Sequence, residues 1–190
     1  IELILHFTPL ENLPNILAYG LRSRSELMAA DLNVRPSDLH RMDQEDDAVS
    51  VSISCYFPEM FAAKRYRGGE TPWIILLLHP GLLSTLPCRF YSRGAATSAT
   101  KYERGSRHGG WALDKLFEEC SFGAGTEPLR ARAGLPPSWP TWSDAEVQVM
   151  SAIDPGFIIG GCVESASHQA EAEAAFAAAG RQECKVEVHP

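Results

Sequence analysis

No C-x-x-C pair, no H-E-x-x-H and no stretch of roughly 18 apolar residues occurs in the chain. Each absence excludes something. The five cysteines, Cys55, Cys88, Cys120, Cys162 and Cys184, are odd in number and widely spaced. That is a poor disulfide framework and a poor zinc site. Reduced, mostly buried thiols in a cytoplasmic protein are expected instead. The unbroken apolar run Trp73–Leu78 is strand length, so no membrane span is expected. No G-x-G-x-x-G follows an expected strand, no G-x-x-x-x-G-K-[ST] is present, and no G-x-S-x-G elbow supports a serine triad. Gly156, Gly160 and Gly161 suit turns and bulges rather than a dinucleotide fingerprint. An initiator Met is missing as well: the chain begins at Ile1 without a charged-then-apolar leader, which points to a trimmed start.

Positive charge is scarce. Lys and Arg number 17 against 24 Asp and Glu, a net charge of −7, so the surface as a whole does not attract nucleic acid. It is concentrated locally, where Arg89, Arg93, Lys101, Arg104 and Arg107 stand against Glu103 alone. Phe90, Tyr91 and Tyr102 are interleaved with them, a mix that suits a single nucleic-acid strand through phosphate contact and stacking. The pairs Asp46–Asp47 and Glu118–Glu119 lie in polar surroundings and read as solvated.

Strands are expected at Leu3–Phe7, Ala48–Ser54, Pro72–Leu78, Glu146–Ile153, Phe157–Val163 and Lys185–His189. Ala48–Ser54 alternates Val49, Val51, Ile53 with Ser50, Ser52, Ser54, so one of its faces carries hydroxyls. Pro72–Leu78 is apolar throughout, as a strand buried on both faces would be. A turn is expected at Thr8–Glu11, then a helix with Asn12 as N-cap and Gly20 as its stop. Further helices are expected at Arg24–Ala30, Pro58–Tyr66, Trp111–Glu119 and Gln169–Ala179. Residues 33–47, 89–110 and 121–142 read as irregular. Strands and helices alternate early and strands dominate late, which gives an α+β fold. A chain of this size is expected to form one domain, residues 1–190, and a monomer.

Three elements suggest chemistry. His6 and Thr8 share one face of a strand and can hydrogen-bond a flat polar ligand. Arg41, just before the Ser-rich strand, can bond a phosphate bidentately. Glu146 opens an apolar strand, where a carboxylate is partly buried and must be paired or functional.

The order of these residues resembles the DarT family of DNA ADP-ribosyltransferases, within the wider ADP-ribosyltransferase fold. The resemblance runs from His6-Phe-Thr8 through Asn12-Leu-Pro-Asn-Ile-Leu17, Gly20-Leu21, Arg41 and Asp47-Ala-Val-Ser-Val-Ser-Ile-Ser54. It continues with Met60-Phe61, Trp73–Leu83, Pro140-Thr-Trp-Ser-Asp-Ala-Glu146-Val-Gln-Val149 and Ile153–Ile158. It implies a split β-sheet core with flanking helices, NAD as co-substrate, and no metal. It implies ADP-ribose transfer from NAD to a base in single-stranded DNA, guanine favoured over thymine, by a toxin neutralised by a macrodomain antitoxin. Glu146 would be the catalytic carboxylate, and Arg41 would hold a phosphate or help remove the acceptor proton. His6, Thr8, Asn12, Gly20, Leu21, Ser50 and Ser52 would bind NAD. Arg89, Arg93, Ser98, Lys101 and Tyr102 would bind DNA, and Tyr56 or Trp142 would stack on a base or be packing. The chain departs from the pattern at Gly94-Ala-Ala-Thr-Ser98, at Gln148 where an aliphatic residue is usual, and by residues inserted between Ser121 and Pro140. The readings that remain open are transfer to RNA or protein, NAD hydrolysis, and a non-catalytic nucleic-acid-binding module.

Overall fold

The run Trp73–Leu78 (β3) takes a middle position because both its faces are covered. Ile74, Leu76 and Leu78 join the main core, while Trp73 and Ile75 pack with Phe7 and Phe61 on the other side. The structure is a computed structural model that describes residues 1–30, 45–56, 58–69, 71–97, 100, 107–120 and 128–189. Arg41, Ser98, Lys101 and Tyr102 lie outside the described residues, as does most of the stretch expected to be irregular at 33–47.

Among the described residues seven strands form a mixed sheet: β1 Ile4–Pro9, β2 Val49–Ile53, β3, β4 Cys88–Tyr91, β5 Glu146–Val149, β6 Ile158–Val163 and β7 Lys185–Val188. Their order is β4-β5-β2-β1-β3-β6-β7. Neighbours are antiparallel except β6 and β7, whose parallel pairing needs a crossover. The helix Ala166–Ala178 supplies it and buries Ala172 and Phe176. It begins three residues before the expected Gln169 because Ser165 Oγ caps it, accepting from His168 N–H at 3.3 Å.

The earlier helices follow their expected signals. Leu13–Tyr19 (α1) buries Leu13, Ile16 and Leu17 at helical spacing. It stops at Gly20, whose φ of +82° favours glycine; a Cβ there would stand 2.4 Å from the Ile153 carbonyl oxygen. Arg24–Ala29 (α2) starts with a Ser23–Glu26 capping box. Pro58–Gly68 (α3) lays Phe61 on Phe7 and Trp73.

Several boundaries differ from expectation. β1 runs on through Thr8 and Pro9 where a turn was expected. The proline is tolerated at the strand's last pair, Pro9 with Trp73, and the following Leu10 N–H bonds the Pro72 carbonyl at 2.9 Å. Asn12 holds the N-cap position of α1 but makes no capping bond. β4 overlaps, and the short helix Leu129–Ala133 lies inside, stretches expected to be irregular. β5 ends at Val149, and Ile153 instead bridges to Leu21.

One pairing positions everything that follows. β1 meets β2 at only two residue pairs, Ile4 with Ile53 and Leu5 with Ser52. Beyond Leu5 the two strands part. The sheet is therefore two half-sheets, β4-β5-β2 and β1-β3-β6-β7, joined at one end and split at the other.

Candidate active site

His6 lies in the split. Ser54 N–H bonds the Leu3 carbonyl at 2.9 Å and Leu5 pairs with Ser52, so the next rung would join Phe7 to Ser50. In its place, the Ser50 carbonyl lies 3.0 Å from His6 Nδ1. A carbonyl can only accept, so Nδ1 carries the hydrogen, and in the neutral ring Nε2 is then the acceptor. Thr8, two residues on, is buried, and its Oγ1 accepts from Asn12 Nδ2 at 3.1 Å. That bond is why Asn12 does not cap α1: its amide orients Thr8.

Register sorts the remaining residues. Ser50 and Arg89 both oppose Gln148, and Tyr91 opposes Glu146. Opposed residues of an antiparallel pair share a face. Ser50, Ser52, Arg89, Tyr91, Glu146 and Gln148 therefore share one polar face. Val49, Val51, Cys88, Phe90, Val147 and Val149 fill the core from the other. The serine hydroxyls thus belong to the face of Glu146, and Thr8 by alternation to the core face. His6 reaches between the two where the strands separate.

Glu146 is partly buried at the head of β5, as its place before an apolar run requires. Its Oε2 accepts the Ala95 N–H at 2.8 Å; among the described residues its Oε1 has no partner. The segment carrying Ala95 is clamped. Arg93 Nε donates to both oxygens of Asp144, at 2.7 and 3.0 Å, and the Gly94 N–H reaches Asp144 Oδ2 at 3.4 Å. The Arg93 guanidinium lies 4.3 Å from the centre of the Trp142 ring. Thr100 Oγ1 closes the far side by donating to the Gly94 carbonyl at 2.9 Å.

Beside Glu146, the Tyr91 hydroxyl donates to Gln148 Oε1 at 2.9 Å, and Gln148 is fully buried. This gives the amide that replaces the usual aliphatic residue a partner. Burial pushes the Tyr91 phenol up, against the lowering effect of Arg107 and Arg89. It stays a donor at neutral pH. The Arg107 guanidinium lies 4.4 Å from the centre of the Tyr91 ring.

The other expected residues are placed as follows. Arg89 Nη1 donates to Glu45 Oε2 at 2.6 Å, so Arg89 and Arg93 both meet carboxylates remote in sequence. The local excess of positive charge is thereby partly neutralised. Leu21 is buried and exchanges two backbone bonds with Ile153, at 2.9 and 2.8 Å; with Gly20 it fixes the turn after α1. Tyr56 packs edge-on against Phe61, and Trp142 lies beside the Arg93 guanidinium. All five cysteines are free, with Cys88 and Cys184 buried and the rest partly buried. Burial pushes the Cys88 thiol up to about 11 and raises Cys55, Cys162 and Cys184 as well, which makes them poor nucleophiles. A cavity of about 370 Å³ between α3 and the last helix shares no lining residue with the Glu146 group.

Asp144 and the Ala95 amide carry no assignment from sequence, and Tyr91 carries one only as an aromatic suited to stacking on a nucleic-acid strand, not as the donor to Gln148. Asp144 stands two residues before Glu146 in Trp142-Ser-Asp-Ala-Glu146, and that spacing is its one signal in the sequence. Ala95 acts through its backbone and leaves none.

A family model described as "ssDNA thymidine ADP-ribosyltransferase, DarT" matches residues 5–190. Among solved structures, DarT of Thermus sp. 2.9 in complex with carba-NAD+ aligns with a TM-score of 0.65 at 20% identity, covering 98% of this chain and 95% of that one. The same Thermus protein in complex with ADP-ribosylated ssDNA gives 0.61 at 18% identity, over 98% and 93%. DarTG of Thermosipho africanus in complex with ADP-ribose gives 0.61 at 13% identity, over 100% of this chain and 50% of that one. At these identities the likeness is one of fold. No curated protein sequence matches the chain.

Proposed function

The chain belongs to the DarT family of NAD-dependent single-stranded-DNA ADP-ribosyltransferases, and from that premise we propose that Glu146 is its central catalytic carboxylate. In the transfer, the bond from ribose C1′ to the nicotinamide nitrogen breaks and a bond from C1′ to the acceptor base forms. Nicotinamide leaves neutral, and the base gives up one proton. C1′ passes through an oxocarbenium-like state, which a fixed carboxylate stabilises more than it does the ground state.

The observation that supports this role is the division of labour on Glu146. Oε2 is anchored by the Ala95 amide, and Oε1 is left for the 2′-hydroxyl of the nicotinamide ribose. The clamp of Asp144, Arg93 and Trp142 positions the carboxylate through Ala95. His6 and Thr8, with Asn12 behind Thr8, hold NAD at the split; the bond from His6 Nδ1 gives Nε2 the acceptor role toward a hydroxyl. Ser50 and Ser52 line the face that Glu146 occupies. Gly20 and Leu21 support the site by fixing the turn after α1. Arg41 holds a phosphate, since a guanidinium is a poor base.

The acceptor is a base in single-stranded DNA, gripped by Arg89, Arg93, Ser98, Lys101 and Tyr102. We favour guanine on the sequence resemblance, whereas the family model's description names thymidine. The same resemblance supports one catalytic domain over residues 1–190, a toxin role and a macrodomain antitoxin. The DarTG chain of Thermosipho, of which this chain covers 50%, is in keeping with such a pair.

The test is incubation with NAD and a panel of single-stranded oligonucleotides, each lacking one base, read by mass. An ADP-ribose increment that vanishes when guanine is omitted supports the full reading, and one that vanishes with thymine moves the acceptor. NAD consumed without any adduct overturns DNA as the acceptor. Glu146→Ala should abolish turnover; transfer at the wild-type rate refutes the role given to Glu146.

A further inference from the structure

Strand pairing brings together three donors that the sequence keeps apart. Cys162 on β6 is the parallel partner of Glu187 on β7. His189 follows Glu187 by two residues and projects to the same face. One donor atom from each side chain lies within 4.8 Å of the other two. His189 Nε2 already stands 3.3 Å from Glu187 Oε2. Its backbone is not loose: the His189 N–H bonds the Val163 carbonyl at 2.8 Å and carries the β6–β7 pairing past the named end of β7.

From this geometry we propose that Cys162, Glu187 and His189 form a binding site for one zinc ion, independent of the transferase site. The donor set is one thiolate, one imidazole and one carboxylate, which zinc accepts together; calcium and magnesium disfavour thiolate and imidazole. A tetrahedral zinc at ordinary bond lengths sets its ligand atoms about 3.3–3.8 Å apart. Closing the present trio to that span takes side-chain rotation, with the paired backbones unmoved. Glu164, two residues past Cys162, is engaged by Arg65, so water takes the fourth position. Binding replaces the Cys162 S–H bond by an S–Zn bond and releases one proton. The metal's effect is to fasten the edge strand β7 to β6.

The spacing test on cysteines cannot find such a site, because its donors come from two strands and only one is a cysteine. The proposal does not rest on the transferase reading, and no donor belongs to the Glu146 group.

The test uses the full chain, stripped with chelator and titrated with Co2+ as a spectroscopic stand-in for zinc. One equivalent should raise a thiolate-to-cobalt band in the near ultraviolet, which Zn2+ then quenches. Cys162→Ser should abolish the band, His189→Ala should weaken Co2+ binding at least about tenfold, and Cys120→Ser should leave both unchanged. As a second measurement, zinc should raise the melting temperature of the wild type and not that of Cys162→Ser. NAD turnover should be the same with and without zinc. No band, a band that survives Cys162→Ser, or binding only at millimolar metal, an adventitious ion only, overturns the proposal.

Discussion

Replacing Asp144 by Ala removes the anchor of the segment that carries the Ala95 amide. The side chain of Asp144 is 11% exposed and that of Arg93 39%. The pair therefore sits between exposed ion pairs, worth about 0–1 kcal/mol, and buried ones, whose breakage costs about 3–5 kcal/mol. Arg93 can turn to water once released, so a loss of about 2 kcal/mol is expected, a melting temperature lower by about 4–8 °C. The larger effect falls on catalysis. A freed segment no longer holds Oε2 of Glu146, and a hydrogen bond to a charged group contributes about 1.5–3 kcal/mol. At about 1.4 kcal/mol per tenfold in rate, kcat should fall about 10- to 100-fold. KM for NAD should change little, since the lost interaction matters most in the transition state. The assay is the initial rate of nicotinamide release at varied NAD with a saturating oligonucleotide. Asp144→Asn, which keeps an acceptor for Arg93 and Gly94, should recover part of the rate. In a Glu146→Gln background, Asp144→Ala should add almost nothing, because both act on one carboxylate. A wild-type kcat in Asp144→Ala, or full additivity in the double variant, refutes the positioning argument.

Other consequences can be checked on stability alone. Gly20→Ala forces a Cβ against the Ile153 carbonyl at positive φ, and should cost about 1–3 kcal/mol by chemical denaturation; a change under about 0.5 kcal/mol, the range of neutral surface substitutions, would discount the close approach. Tyr91→Phe removes one hydrogen-bond donor from the buried Gln148 oxygen and should cost about 1–3 kcal/mol, with Tyr91→Phe/Gln148→Leu recovering part of it. The Cys88 thiol is raised in the folded state, so its contribution is complete below the unfolded value near 9 and lost as pH climbs to about 11. Stability should fall by roughly 2–3 kcal/mol across that window, and the fall should shrink in Cys88→Ala. An unchanged slope in that variant would assign the fall to other groups.

How far the sequence carried depends on where each signal was stored. β3 was legible because burial on both faces leaves an unbroken apolar run, and β2 because burial on one face leaves alternation. Glu146 was legible because a carboxylate at the head of an apolar strand needs a reason. β4 was not: in Cys88-Arg-Phe-Tyr91 the alternation spans two residues per face, too few to stand out from its Gly- and Arg-rich surroundings. Register was out of reach, so the hydroxyls of Ser50 and Ser52 could not be assigned to the face of Glu146 before β5 was paired. Counting charge along the chain could not show Glu45 and Asp144 folding back on Arg89 and Arg93. Roles carried by backbone, such as the Ala95 amide, have no side-chain signature.

The two-rung junction between β1 and β2 has a consequence for how the molecule comes apart. Every other neighbouring pair of strands has three or more paired residues, whereas here a single backbone bond, from the Ser54 N–H to the Leu3 carbonyl, adds to the two pairs, so this seam has the fewest paired residues in the sheet. The half-sheets should open along it as separate cooperative units, and amides bordering the seam should exchange hydrogen faster than those of β3. On the proposed placement of NAD across the seam, the dinucleotide would bind only the closed arrangement and add to its stability by mass action. Bound NAD would then act as the missing rungs, and exchange along the seam should slow to the rate of global unfolding.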